Sequence, residues 1–186
     1  MRTGRPKLFN RDEVLDKAIP VFWRRGFSDT TLADLEAATG VNRSGLYTEF
    51  KDKEELFLES LRHYIETSGL TEMLAQEPFG WGNVERYLKL ALSCWTGQKG
   101  CFSVSSMREL EVLPEEARVI VAKSMKPIRR LLVKNIEAEG VKGNAGEIAE
   151  MLMTFFSGIS IEQNLAGSSA AGLRKIESLM RVVRAL

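Results

Sequence analysis

TTLADLEAATGVNRSGLYTEFKDKEELF, residues 30–57, decides the reading. Leu32, Leu35 and Ala38 recur at helical spacing. Thr31 stands before them, with a hydroxyl suited to cap the amide of Asp34. Gly40 ends the run, because glycine takes the positive φ of a sharp turn. A second short helix follows, with Leu46 and Phe50 four apart on one face. Asp52 then caps a third helix, with Glu55 three residues on. Two helices of roughly eight residues about a glycine turn have the proportions of a helix-turn-helix. In that motif the first helix braces across a nucleic-acid backbone and the second enters the major groove.

The helical period continues in both directions. Toward the N-terminus, Val14, Leu15, Ala18, Ile19 and Phe22 form a stripe. Asn10 is placed to cap it, with Glu13 as reciprocal partner. Gly26 ends it. Pro20 lies inside this helix, where proline costs about 3 kcal/mol or forces a kink. Toward the C-terminus, Leu56, Phe57, Leu61, Tyr64 and Ile65 share a face, as do Val84, Tyr87, Leu88, Ala91, Leu92 and Trp95. A loop at Gly97–Phe102 interrupts, and a short piece follows at Ser103–Leu110. Pro114 opens a long helix that Pro127 is expected to bend. Two further stripes run through 148–159 and 173–183. About nine helices and only weak strand signals make the chain all-α. The expected division is a three-helix DNA-binding domain over residues 1–53 and a second helical domain over 54–186.

Composition narrows the function. The chain has 186 residues, 44% of them hydrophobic, and a formal charge of +1. No stretch approaches the roughly 18 apolar residues of a membrane span, so no membrane partner is expected. No apolar segment follows the N-terminal charges, which excludes a secretory signal and makes a cytoplasmic location the default. One histidine, His63, supplies neither a His-based metal site nor a di-iron bundle, which needs two Glu-x-x-His motifs. No catalytic residues, metal or cofactor are expected. The charge is uneven, however. Residues 1–25 carry seven basic and three acidic side chains, a net +4. The all-positive segment before Asn10 is either a solvated leader or a basic arm attracted to phosphate.

The polar residues of residues 30–53 sort by reach. Asn42, Arg43, Ser44 and Thr48 lie away from Leu46 and Phe50, and are assigned to base contacts. Arg43 suits guanine O6 and N7 in bidentate fashion, for about 1–3 kcal/mol of discrimination. Thr31, Tyr47 and Lys53 suit phosphates. Glu49 suits either cytosine N4 or a salt bridge. Gly45 costs about 1 kcal/mol of helix propensity and lets the backbone approach DNA closely.

The chain resembles the TetR family of bacterial helix-turn-helix transcription regulators. The resemblance rests on Gly26-Phe27, Thr30-Thr31, Gly40-Val41, Leu46-Tyr47 and the run Phe50-Lys51-Asp52-Lys53-Glu54-Glu55-Leu56. More loosely, Gly100-Cys101-Phe102 sits where relatives often carry Gly-Cys-Leu. Glu36 departs from the pattern, where alanine is common; it must reach solvent or a basic partner. The resemblance implies a repressor that binds double-stranded DNA, at a palindromic operator, as a homodimer through residues 148–159 and 173–183. It also implies release by a small-molecule effector.

Trp95, Phe102, Met107, Met125, Phe155 and Gln163 are the residues expected to line the effector pocket. Cys101 carries an alternative: Lys99 nearby favours the thiolate, the reactive form, and suits a sensor of oxidants or electrophiles. Against this, a free cysteine also serves as a small buried hydrophobe. A rival of another class is a helical ligand carrier or scaffold without DNA binding.

Overall fold

The computed structural model describes residues 9–95, 97–163 and 169–186, so the basic arm at 1–8 lies outside the described residues. The expected all-α architecture is what it shows. Helix α1 (Arg11–Asp29) opens on Asn10, whose side chain accepts from the amide of Asp12 rather than pairing with Glu13. It runs through Pro20 and breaks instead at Gly26, where φ is +81°. Helix α2 (Leu32–Thr39) is closed by a full capping box between Thr31 and Asp34, and stops at Gly40 with φ +74°. Helix α3 (Arg43–Glu49) is capped by Asn42. Leu46 and the following Phe50 are each 1% exposed, and anchor α3 to the core.

Helix α4 (Lys53–Thr67) starts at Asp52, which accepts from the amide of Glu55 at 2.8 Å. It packs along α1 and leads into the larger half. There follow α5 (Leu70–Leu74), α6 (Trp81–Leu90) and a small antiparallel hairpin, β1 (Cys94–Trp95) with β2 (Gln98–Lys99). Helix α7 (Phe102–Ser106) is a single turn that passes into a 3-10 turn, Met107–Glu109. The long helices are α8 (Glu115–Glu137), which continues through Pro127, α9 (Ala145–Glu162) and α10 (Ala170–Val183).

One continuous apolar core joins all of this, from Val14 to Val183. Its centre is Phe102, 1% exposed, with ring centroids 5.6 Å from Tyr64, 5.8 Å from Trp23 and 5.9 Å from Phe57. Trp23 lies on α1, so this cluster binds the first helix to α4 and α7. A buried amide pins the far end. Asn135 Oδ1 accepts from the amide of Gly80 and from Asn83 Nδ2, and its Nδ2 donates to the carbonyls of Leu74 and Leu131. The stripes at 148–159 and 173–183 divide between two faces. Ile148, Leu152, Phe156, Ile176, Met180 and Val183 enter the core, whereas Met151, Leu173 and Val182 stay exposed.

Candidate nucleic-acid interface and interior pocket

Helix α3 presents a polar face because its apolar residues are used inward. Positions 43, 44, 47 and 48 share one side by helical spacing, and all four residues there are exposed. The Arg43 guanidinium lies 5.4 Å from the centroid of the Tyr47 ring, within cation–π range. Thr48 Oγ1 donates to the carbonyl of Ser44 at 2.7 Å, which leaves its oxygen as an acceptor. Asn42 is also exposed, but its Oδ1 accepts from the amide of Gly45 at 2.9 Å. Gly45 has a reason inside the protein as well. A Cβ there would stand 2.7 Å from Val41 Cγ1, so a side chain at this position would force Val41 to shift.

Glu36 stays at the surface, half-buried. Its carboxylate accepts from the backbone amide of Arg43, across the turn. An acceptor at the start of α3 satisfies an amide with no intrahelical partner and complements the helix dipole. The residue that departs from the resemblance is thus a second cap on α3.

The phosphate candidates differ in availability. Tyr47 is 36% exposed. The Thr31 hydroxyl is exposed but donates to Asp34 Oδ2 at 2.6 Å. Lys53 is half-buried, and its ammonium donates to the carbonyls of Phe27 at 2.9 Å, Thr30 at 3.0 Å and Ser28 at 3.4 Å. It also lies 4.5 Å from the Phe27 ring centroid. Lys53 therefore holds the turn between α1 and α2. Glu49 pairs with Arg11 at 3.2 Å.

Farther from this face, two recesses meet at Cys101. The outer, of about 250 Å³, is walled by Tyr64, Ser68 and Leu90. The inner, of about 40 Å³, is walled by Tyr87, Val104, Met107, Met125 and Met153. Leu70 and Phe156 line both. Of the residues expected here, Met107 and Met125 line the inner recess. Phe102 lines neither of these two recesses; it packs in the aromatic cluster and lines a separate cleft of about 490 Å³ against α1. Phe155 is half-buried against the core, outside both recesses. Gln163 is buried and donates to Ser169 Oγ at 2.7 Å. The side chain of Trp95 lies outside the described residues.

The polar atoms of the pocket gather on the cysteine. Cys101 is 2% exposed, with Sγ 3.1 Å from Ser103 Oγ. The Tyr64 hydroxyl is in hydrogen-bonding contact with the thiol. Burial, and then the neighbouring Cys101, push both the Tyr64 and Tyr87 hydroxyls above the ordinary tyrosine range. Both phenols therefore stay protonated at neutral pH, and add to the hydroxyls of Ser68 in the outer recess and Ser103, Ser124 and Ser157 in the inner one. The sequence held this signal as tyrosines on apolar stripes, where a hydroxyl must find a partner.

Comparison with known proteins follows the same outline. Residues 14–60 match the family model described as bacterial regulatory proteins, tetR family. The chain is 36% identical over 113 residues to the HTH-type transcriptional repressor ComR of Escherichia coli K12. That match covers 58% of this chain and 54% of ComR, so the chain spans about half the length of this relative. It is 26% identical over 180 residues to the repressor BdcR of the same organism, covering 91% of this chain and 90% of BdcR. Among solved structures it resembles a cysteine mutant of the TetR family transcriptional regulator CifR, complexed with 26-base-pair double-strand operator DNA. The TM-score is 0.81 at 26% identity, over 95% of this chain and 98% of that one.

Proposed function

We propose, from the premise that this chain belongs to the TetR family of bacterial helix-turn-helix transcription regulators, that it represses transcription by binding a palindromic operator as a homodimer and is released by a small molecule. Residues 1–53 are the reader, and residues 54–186 are the sensor and dimerisation part. The observation that carries the reading is the exposed face of α3. Arg43, Ser44, Tyr47 and Thr48 project from a helix whose start is capped twice, by Asn42 and Glu36. A rigid helix with a bare polar face is what major-groove reading requires.

Arg43, Ser44 and Thr48 read bases, with Asn42 at the edge. Tyr47, Thr31 and Lys53 approach phosphates, the last two only by giving up contacts within the protein. Dimerisation rests on the apolar side chains of α9 and α10 that the core leaves bare. Met151 is 58% exposed and Val182 63%, and together with Leu173 they make an apolar surface suited to a second copy. Two copies would place the reading helices in half-sites about 34–36 Å apart, or a multiple.

Selection of bound DNA from a random pool tests the reading. A palindrome is expected, and no enrichment over the starting pool would instead favour the carrier or scaffold reading. Light scattering at micromolar concentration should give twice the 20.9 kDa of one chain. A monomeric mass overturns the dimer.

A second reading has its own observation. Cys101 stands where the two recesses meet, within reach of Ser103 and Tyr64. This supports a regulator released by electrophiles or oxidants through that thiol. If Cys101→Ser is released from the selected operator by N-ethylmaleimide as the native chain is, the thiol is not the sensor. No helix among the described residues is long and apolar enough to cross a membrane.

A further inference from the structure

We propose that Glu109 is a positioning residue that couples the pocket wall to the DNA-reading helices. The inference rests on the functional reading above and adds the part that transmits. Cys101 and Val104 of the α7 segment line the inner recess, as does Met107. Two residues later the 3-10 turn ends at Glu109, whose side chain leaves the pocket and crosses to α1. Its Oε2 accepts from the amide of Phe27 at 3.0 Å, a contact between residues 82 apart in sequence.

A second observation marks the same point. Gly26 breaks α1 with φ +81°, and a Cβ there would fall 2.2 Å from Glu109 Oε1. The carboxylate fills the space that the missing side chain leaves. From the other side, Lys53 of α4 donates to the carbonyls of Phe27 and Thr30. The turn 26–30 is therefore held by Glu109 at an amide and by Lys53 at carbonyls. That turn delivers the chain to Thr31, the cap of α2, and so sets where α2 and α3 sit.

The inner recess, at about 40 Å³, has room for about one water, whose share of liquid volume is about 30 Å³. An occupant that reaches from the outer recess past Cys101 into this space presses on the α7 wall. The five-residue α7 is a short wall element, and Glu109 moves with it. A cleft of about 490 Å³ between α1 and the 3-10 turn, with Arg24 and Arg108 on its rim, gives the carboxylate somewhere to go. Occupancy of the pocket thereby releases the turn, and by thermodynamic reciprocity operator binding stiffens α7.

Amide hydrogen exchange of the native chain and its variants, free and bound to the operator selected from the random pool, tests this. In Glu109→Ala the Phe27 amide should exchange at least about tenfold faster, followed by residues 32–49, while α9 is unchanged. Operator affinity should fall about fivefold, and the operator should no longer slow exchange at residues 102–109. Glu109→Gln keeps an acceptor oxygen and should restore most of both effects. Gly26→Ala should reproduce the Glu109→Ala pattern with the carboxylate intact, and Glu111→Ala, at a neighbouring carboxylate, should change nothing. Native protection of Phe27 and native coupling in a folded Glu109→Ala overturn the proposal. If no operator can be selected, the functional reading fails, whereas exchange at Phe27 in the free protein still decides whether Glu109 holds the turn.

Discussion

Residues 9–50 and residues 54–186 are held by different kinds of chemistry. In the first stretch the geometry is set by polar contacts between near neighbours: Thr31 with Asp34, and Asn42 with Gly45. In the second it is set by contacts between residues far apart, such as Asn135 with Gly80 and Tyr87 with Phe156. A reading surface needs fixed geometry on a short element, which caps supply one amide at a time. A sensing interior needs walls from several helices, which only a shared core supplies. The two meet where Phe102 touches α1 and where Glu109 accepts from Phe27.

The comparison breaks most easily at Phe102. Truncating a fully buried phenylalanine costs about 3–5 kcal/mol. Because Phe102 packs on Trp23 as well as on Tyr64 and Phe57, Phe102→Ala should lower both halves together in one thermal transition. If α1–α3 melts at the native temperature while the remainder falls, the halves are independent and the single core is misdescribed.

Asn135 comes next. Asn135→Ala removes four hydrogen bonds and takes from the buried Gly80 amide and Leu74 carbonyl their side-chain partner, at about 1–3 kcal/mol each before relaxation. A net loss of about 3 kcal/mol in urea unfolding is expected, with operator specificity unchanged in the protein that remains folded. A changed base preference would show that the far end of the bundle reaches the reading face.

Much of the fold was legible because its signals are short-range. Thr31, Gly40 and Asp52 act on residues within four positions, so the helix boundaries around α2 and α4 followed from residue type and spacing. Stripes also announced that α9 and α10 bury one face. They did not say what each face meets. Phe102 beside a glycine read as a pocket wall, and nothing in its spacing told that three aromatic rings from α1 and α4 pack on it or that the cleft it lines faces α1. The Cys101 recesses needed Tyr64 and Tyr87, from separate helices, to come together. Glu36 and Glu109 were illegible for the same reason. Each carboxylate serves an amide beyond its own helix, at Arg43 and Phe27, and no periodicity encodes such a partner.

Arg43 gives a smaller effect confined to the reading half. Arg43→Ala should weaken the selected operator by about 1–3 kcal/mol and relax preference at one base position, with thermal stability within about 0.5 kcal/mol of native. Binding measured across base-substituted sites decides it. A profile that keeps its shape while all affinities fall together reassigns Arg43 to phosphate.

The smallest effect separates the two kinds of chemistry by pH. The Thr31 hydroxyl and amide, at 2.6 and 3.0 Å, hold the Asp34 carboxyl below its ordinary range, and Arg25 at 3.2 Å adds to this. A carboxylate whose pKa is lower when folded stabilises above its unfolded pKa, and that contribution is lost as pH falls through the folded value. The start of α2 should therefore be unchanged from neutral pH down to about 5 and loosen only below the ordinary aspartate range, near pH 3.9. The Thr31 amide resonance, followed by NMR, should report that step, and Asp34→Asn should abolish it. The recesses around Cys101 should not respond over the same interval, since Tyr64 and Tyr87 titrate only far on the alkaline side. A Thr31 step at or above the ordinary aspartate range would mean that the capping box is not formed in solution. The short-range order claimed for the reading half would then have to come from the core beneath it.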